Sequence, residues 1–180
     1  MGVINGLIYI HGQGMIHGDL KGVGLGYSKL CIRLISVKAN ILIDDTGNVR
    51  LADFGLLTII SDPTNILSST SYAQGGTVRC MAPELIDPEK FGLEDNRPTK
   101  SSDCYALGMV IYETISGKAP FHKHTDLTVI TKVLAGQNPS REAGFANRLW
   151  KMLKICWKPQ PNDRPTIEDV LQCLQKVSSL

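Results

Sequence analysis

The run Ala106-Leu107-Gly108-Met109-Val110-Ile111-Tyr112 constrains the fold more than any other stretch. It spans almost two helical turns without a polar residue, so a helix here must be buried on most sides. Ser102 reads as its N-cap, Tyr105 and Ile115 extend its apolar surface, and Gly117 is placed to end it. The rest of the chain must therefore supply elements to wrap a central helix. Phe145, Leu149, Met152, Leu153 and Cys156 recur at helical spacing and predict one of them. Pro165 precedes Thr166-Ile167-Glu168-Asp169, a capping box with Asp in place of Glu. Val170, Leu171, Leu174 and Val177 then form the apolar stripe of a last helix. Upstream, residues 40–44 and 48–52 read as short strands joined by Asp45-Thr46-Gly47, which predicts a β-hairpin. The stretch from Ser61 to Gly76 is rich in Ser, Thr, Asn and Gly and reads as a mobile loop. The expected architecture is a small hairpin followed by a helical block.

Composition narrows the class. A chain of 180 residues is one domain's worth, and 43% hydrophobic with 20% charged residues excludes a disordered tail, a collagenous repeat and a disulfide miniprotein. Lys+Arg 19 against Asp+Glu 17 leaves a net charge of +2, too small to imply a nucleic-acid or anionic-membrane partner. The five cysteines are odd in number, scattered and without a C-x-x-C pair, which fits a reducing compartment better than disulfides or zinc. The apolar N-terminal stretch has no basic n-region and is interrupted by Gly6 and His11, so a secretory leader is not expected. Met1-Gly2 opens a myristoylation pattern, but Gly6 stands where Ser or Thr is wanted. No stretch has the ~18 apolar residues of a membrane span. A cytoplasmic chain is the expectation.

Three short strings carry the chemistry: His17-Gly18-Asp19-Leu20-Lys21, then Asp53-Phe54-Gly55, then Ala82-Pro83-Glu84. In this order, with Asn40 opening a strand and Asp163-Arg164-Pro165 near the end, the sequence resembles the eukaryotic protein kinases. The resemblance runs from about Met1 to Leu180 and covers the C-terminal lobe of that α+β fold, a mainly α-helical lobe with a small β-hairpin. The stretch from Cys156-Trp157 to Arg164-Pro165 is most similar to the tyrosine-kinase-like branch of serine/threonine kinases.

Specific roles follow from that resemblance. Phosphoryl transfer needs a carboxylate to orient the attacking hydroxyl and take its proton, and Asp19 matches that position. Lys21 matches the lysine that contacts the transferring phosphate, and its spacing from Asp19 is the serine/threonine pattern. The acceptor implied is a protein Ser or Thr hydroxyl. Magnesium prefers oxygen ligands, and Asn40 and Asp53 match the residues that hold it with ATP. His17 is structural by resemblance, bonding near the Asp53-Phe54-Gly55 turn. Glu84 and Arg164 match an ion pair between the activation segment and the helical block, and Asp103 matches the aspartate that holds the catalytic-loop backbone. Thr77 matches a threonine lining the substrate site. Ser68, Ser69, Thr70, Ser71 and Tyr72 are candidate phosphorylation sites; a solvated polar loop is the plainer reading. Gly18 supports the plainer one, since the family commonly has there the arginine that receives the phosphate. Cys80 stands where Trp is usual, which is expected to loosen local packing.

Two departures bear on activity. The N-terminal lobe is expected to be absent: these residues contain no glycine-rich phosphate loop, no strand lysine in a V-A-I-K context and no helix glutamate to pair with it. Gly22-x-Gly24-x-Gly26 follows no strand and lacks the G-x-G-x-x-G spacing. Phosphotransfer by this chain alone is therefore not expected, and a truncated, non-catalytic kinase-like binding module is the alternative. Second, Asn40 stands 21 positions after Asp19, where the family sets five. Deleting Val23–Lys38 restores the pattern as Asp19-Leu20-Lys21-Gly22-Ala39-Asn40. Those sixteen codons are 48 nucleotides, in frame; every Val codon begins GT and one Lys codon ends AG. Residues 23–38 are thus read as a retained intron, with a genuine loop insertion as the rival.

Overall fold

The structure, a computed structural model, describes residues 2–21, 41–43, 49–51, 58–59 and 77–178. Helix α1 (Gly2–Gly12) is followed by strands β1 (Met15–Ile16), β2 (Ile41–Ile43), β3 (Val49–Leu51) and β4 (Thr58–Ile59). A 3-10 turn at Thr77–Cys80 leads to α2 (Pro83–Ile86) and a second at Glu89–Phe91. Helices α3 (Lys100–Ser116), α4 (Asp126–Leu134) and α5 (Asn147–Cys156), a 3-10 turn at Pro161–Asp163 and α6 (Ile167–Ser178) complete the order.

Helix α3 is the axis of the lobe. Every residue from Ser102 to Glu113 is buried, as the apolar run required. Gly117 ends the helix in the left-handed region at φ 66°, where glycine carries no Cβ penalty. The start differs from expectation. Thr99 is the N-cap, its side chain accepting from Ser102 N–H, while Ser102 Oγ accepts from Thr99 N–H at 2.8 Å. Ser102 is thus the N3 member of a capping box, because a T-x-x-S pair satisfies two orphan donors where a lone serine would satisfy one.

Around this axis pack Ile4, Leu7 and Ile10 of α1, Leu149, Leu153 and Cys156 of α5, and Ile167 and Val170 of α6. Thr166 and Asp169 form the predicted cap of α6: Asp169 Oδ2 accepts from Thr166 N–H at 3.0 Å, and Thr166 Oγ1 accepts from Asp169 N–H at 3.2 Å. The aromatic floor consists of Tyr112, stacked on Phe145 at 5.4 Å, with Trp150 and Trp157 edge-on to each other at 5.7 Å. Gly108 makes this packing possible. A Cβ there would meet Trp157 Nε1 at 2.7 Å and Cys156 Cβ at 3.0 Å. Gly108→Ala should therefore lower stability by about 1–3 kcal/mol despite alanine's better helix propensity; an unchanged urea midpoint would refute this close approach.

The hairpin forms as expected, with Ile41 opposite Leu51 and Ile43 opposite Val49 in an antiparallel pair. Strand β3 lies against α1. A second pairing, Met15 with Ile59 and Ile16 with Thr58, was not expected, since two-residue strands forty positions apart leave no local signal. Helix α1 was unassigned from sequence for a related reason. Its three glycines and several β-branched residues are poor helix formers, and burial of Ile4, Leu7, Ile10 and His11 stabilises it instead. The chain accordingly has the mainly α-helical lobe with a small β-hairpin that its sequence predicts.

Candidate active site

The loop at residues 17–21 leaves β1 and is fixed by one buried carboxylate. Asp103, in the first turn of α3 and 1% exposed, accepts from His17 N–H at 2.9 Å on Oδ2 and from Gly18 N–H at 2.9 Å on Oδ1. The same Oδ2 lies 2.7 Å from His11 Nε2, on the last turn of α1. One side chain thereby ties together α1, α3 and the loop. Gly18 sits at φ 78°, a conformation that strains any residue with a Cβ. Glycine therefore suits the backbone at this position.

Beyond Gly18 the loop is anchored by Leu20, which is 2% exposed, and by His17 Nδ1, which accepts from Asp19 N–H at 3.3 Å. The Asp19 side chain is itself mostly buried, 11% exposed, and its Oδ2 lies 2.7 Å from Lys21 Nζ. Gly18, Asp19 and Leu20 share a small pocket with Cys80, Met81 and Leu85. Cys80 is itself buried.

The segment after Thr77 is tied to the helical block at two places. Glu84, from α2, meets Arg164 in a two-pronged pair, Nη1 to Oε1 at 2.6 Å and Nη2 to Oε2 at 2.7 Å, with both side chains essentially inaccessible. Arg164 spends its remaining donors on the carbonyls of Lys158, Ser101 and Pro159 and lies 5.0 Å over the Tyr105 ring. All five guanidinium N–H groups thus have acceptors. The second tie is Arg79, which donates to the carbonyls of Pro120, Phe121 and His124 and pairs with Asp126 at 2.9 Å.

Arg79 and His11 are the residues that sequence reasoning passed over. His11 had a usable signal, a single imidazole in an otherwise apolar run; Arg79 had none, because its acceptors are backbone carbonyls some forty residues away. Asn40, Asp53, the 23–38 segment and Ser68, Ser69, Thr70, Ser71 and Tyr72 lie outside the described residues. Among the described residues no three His, Cys, Asp or Glu side chains converge on a metal position. Nor is any described helix long and apolar enough to cross a membrane.

Two buried acids behind the site resist ionisation. A hydrogen bond with Cys104, reinforced by burial, pushes the Cys156 thiol well above its ordinary value of 9.0. Burial likewise raises Tyr105 above 10.0, against the opposing pull of Arg164. The folded state therefore keeps protons that the unfolded chain releases, so stability is full below about pH 9 and falls as pH rises. Each group costs up to ~1.4 kcal/mol per pH unit past its unfolded value. Urea midpoints should be level near neutral pH and drop above pH 9, less steeply in Cys156→Ala; a flat profile to pH 10.5 would contradict the assignment.

A mainly helical lobe whose central helix pins a short Asp–Lys loop places the chain among the protein kinase folds. The comparison with known families agrees: the protein kinase domain matches residues 1–174, and the chain belongs to that family. It is 28% identical over 98% of its length to a serine/threonine-protein kinase/receptor of Acanthamoeba polyphaga mimivirus. Over 94% of its length it is 31% identical both to the cytokinesis protein sepH of Aspergillus terreus and to mitogen-activated protein kinase kinase kinase A of Dictyostelium discoideum. The chain spans 9%, 10% and 15% of those three proteins respectively.

Proposed function

We propose that this chain is the catalytic-loop lobe of a serine/threonine protein kinase of the tyrosine-kinase-like type, acting on protein hydroxyls with ATP and Mg²⁺. The observation that supports this most is the Asp19–Lys21 pair, 2.7 Å apart on a loop whose backbone is pinned by Asp103. Asp19 orients the Ser or Thr hydroxyl and takes its proton as the oxygen–phosphorus bond forms. Lys21 places a positive charge beside the phosphoryl group, and the displaced oxygen leaves with ADP. Asn40 and Asp53 would hold magnesium, which would supply positive charge beside the phosphates. Asn40 directly precedes Ile41 and Asp53 follows Leu51 by two positions, so both flank the same end of the β2–β3 hairpin in sequence.

Family members hold the nucleotide phosphates with a glycine-rich loop and a strand lysine, and residues 1–180 contain neither. Residues 1–180 alone are accordingly expected to transfer no phosphate. The segment 23–38 is proposed as a retained intron, because its removal restores the five-residue spacing from Asp19 to Asn40 and displacement of these groups by even ~1 Å costs ~10²-fold in rate. Mature transcripts that consistently encode Val23–Lys38 would end that proposal and leave a loop insertion. The missing glycine-rich loop and strand lysine favour a second reading, a truncated, non-catalytic binding module in the cytoplasm. The two separate in a labelled-phosphate assay of the protein expressed from its complete reading frame. The kinase reading expects phosphoserine or phosphothreonine in the product; absence of all transfer favours the binding module, and phosphotyrosine alone would overturn the assigned acceptor.

A further inference from the structure

The net charge of +2 conceals a strongly uneven surface. From Ala143 to Asn162 the chain carries Arg148, Lys151, Lys154 and Lys158 and not one carboxylate. All four are exposed, and spacings of three and four align them along one face of α5 and its C-terminal extension. Arg148, Lys151 and Lys154 form no ion pair with any described residue; Lys158 has only Asp163 at 4.0 Å. On one side of this row lies a groove of about 410 Å³ between α5 and α6, whose far rim carries Lys176. On the other lies a groove of about 510 Å³ towards Gly136 and Pro159. Lys151 and Ile155 form the ridge shared by both, and Ile155 is 40% exposed between the lysines.

We propose that this face docks an acidic, extended segment of a partner protein, with an apolar side chain against Ile155 and Met152 and flanking carboxylates on Arg148, Lys151 and Lys176. The dimensions agree. Ten residues of α5 are ~15 Å long, the reach of about five residues of extended chain. The carboxylate in the first groove, Asp169, is turned to Thr166 N–H and Oγ1 at the start of α6, and Arg148, Lys151 and Lys176 outnumber it three to one in the lining. A nucleic acid fits less well, because Trp157 is buried and Trp150 half-buried, leaving no exposed ring for base stacking. A membrane also fits less well, since Ile155 is the one exposed large apolar residue among the described residues of this ridge, too little apolar surface to insert into lipid.

Fluorescence anisotropy of a labelled Glu-Glu-Leu-Glu-Glu peptide against the full chain tests this. Saturable binding is expected, weakening about tenfold in Lys151→Glu/Lys176→Glu and on raising salt from low to physiological strength. Replacing the peptide leucine by serine should also weaken it severalfold. Lys123→Glu, a single charge reversal at an exposed residue of the α3–α4 loop and half the charge change of the double variant, should leave binding within twofold. Circular dichroism confirms that each variant is folded. The proposal is overturned by no saturation up to about 1 mM peptide, by equal losses in Lys123→Glu, or by tighter binding of a thymidine decamer or phosphatidylserine vesicles than of the peptide.

Discussion

Arg164→Met should lower unfolding free energy by about 3–5 kcal/mol and bring the thermal midpoint down by roughly 10 °C. The loss comes less from the missing attraction than from what stays behind. Glu84 is 0% exposed, and without the guanidinium its carboxylate is a buried charge with no cation beside it. Three carbonyls, of Lys158, Ser101 and Pro159, lose their donor in the same step. Replacing both partners, in Glu84→Leu/Arg164→Met, should regain about half of the loss or more, because no charge is then stranded. Arg97→Met provides the contrast. Its pairing with Asp95 leaves both side chains about half exposed, and its removal should cost no more than ~1 kcal/mol. Urea unfolding of the four proteins measures all of this. A single Arg164 variant as stable as Arg97→Met, or a double variant no better than the single, would show that the pair does not tie α2 to the helical block.

Asp103→Ala carries the second large effect, and it should be concentrated in one place. Removing the carboxylate strands His17 N–H and Gly18 N–H in a buried turn and takes away the partner of His11. At ~1–3 kcal/mol for each unsatisfied donor, the loop loses about 3–5 kcal/mol of local stability. Amide exchange at His17 and Gly18 should accelerate ~10²-fold or more beyond whatever rise is shared by the whole lobe. Arg164→Met gives the reference, since it weakens a different junction and should not single out these two amides. If exchange at 17 and 18 rises only in step with the rest of the chain in Asp103→Ala, the aspartate does not hold the loop.

What was readable in advance follows from how local each determinant is. The central helix and its stop at Gly117 were legible, because an apolar run and a left-handed glycine act within a turn or two of chain. So were the cap of α6 and the β2–β3 hairpin. The start of α3 shifted from Ser102 to Thr99, because both residues cap and only the reciprocal geometry decides between them. Helix α1 and the β1–β4 pairing depend on burial and on a partner over forty residues away, and neither leaves a local pattern. The site divides in the same way. Asp19, Lys21, Asp103, Glu84 and Arg164 were marked by ordered motifs. His11 and Arg79 were missed because their partners, a carboxylate 92 residues on and a set of backbone carbonyls, come together only in the folded chain.

The account rests on Asp19 as the group that takes the proton from a protein hydroxyl. The direct measurement is the transfer of labelled phosphate from Mg·ATP to a serine- and threonine-bearing protein substrate, by the protein expressed from its complete reading frame and by its Asp19→Asn variant. General-base assistance contributes ~10²–10⁴-fold, so the variant should lose at least about a hundredfold in kcat with little change in KM. Transfer that persists undiminished in Asp19→Asn would contradict the account.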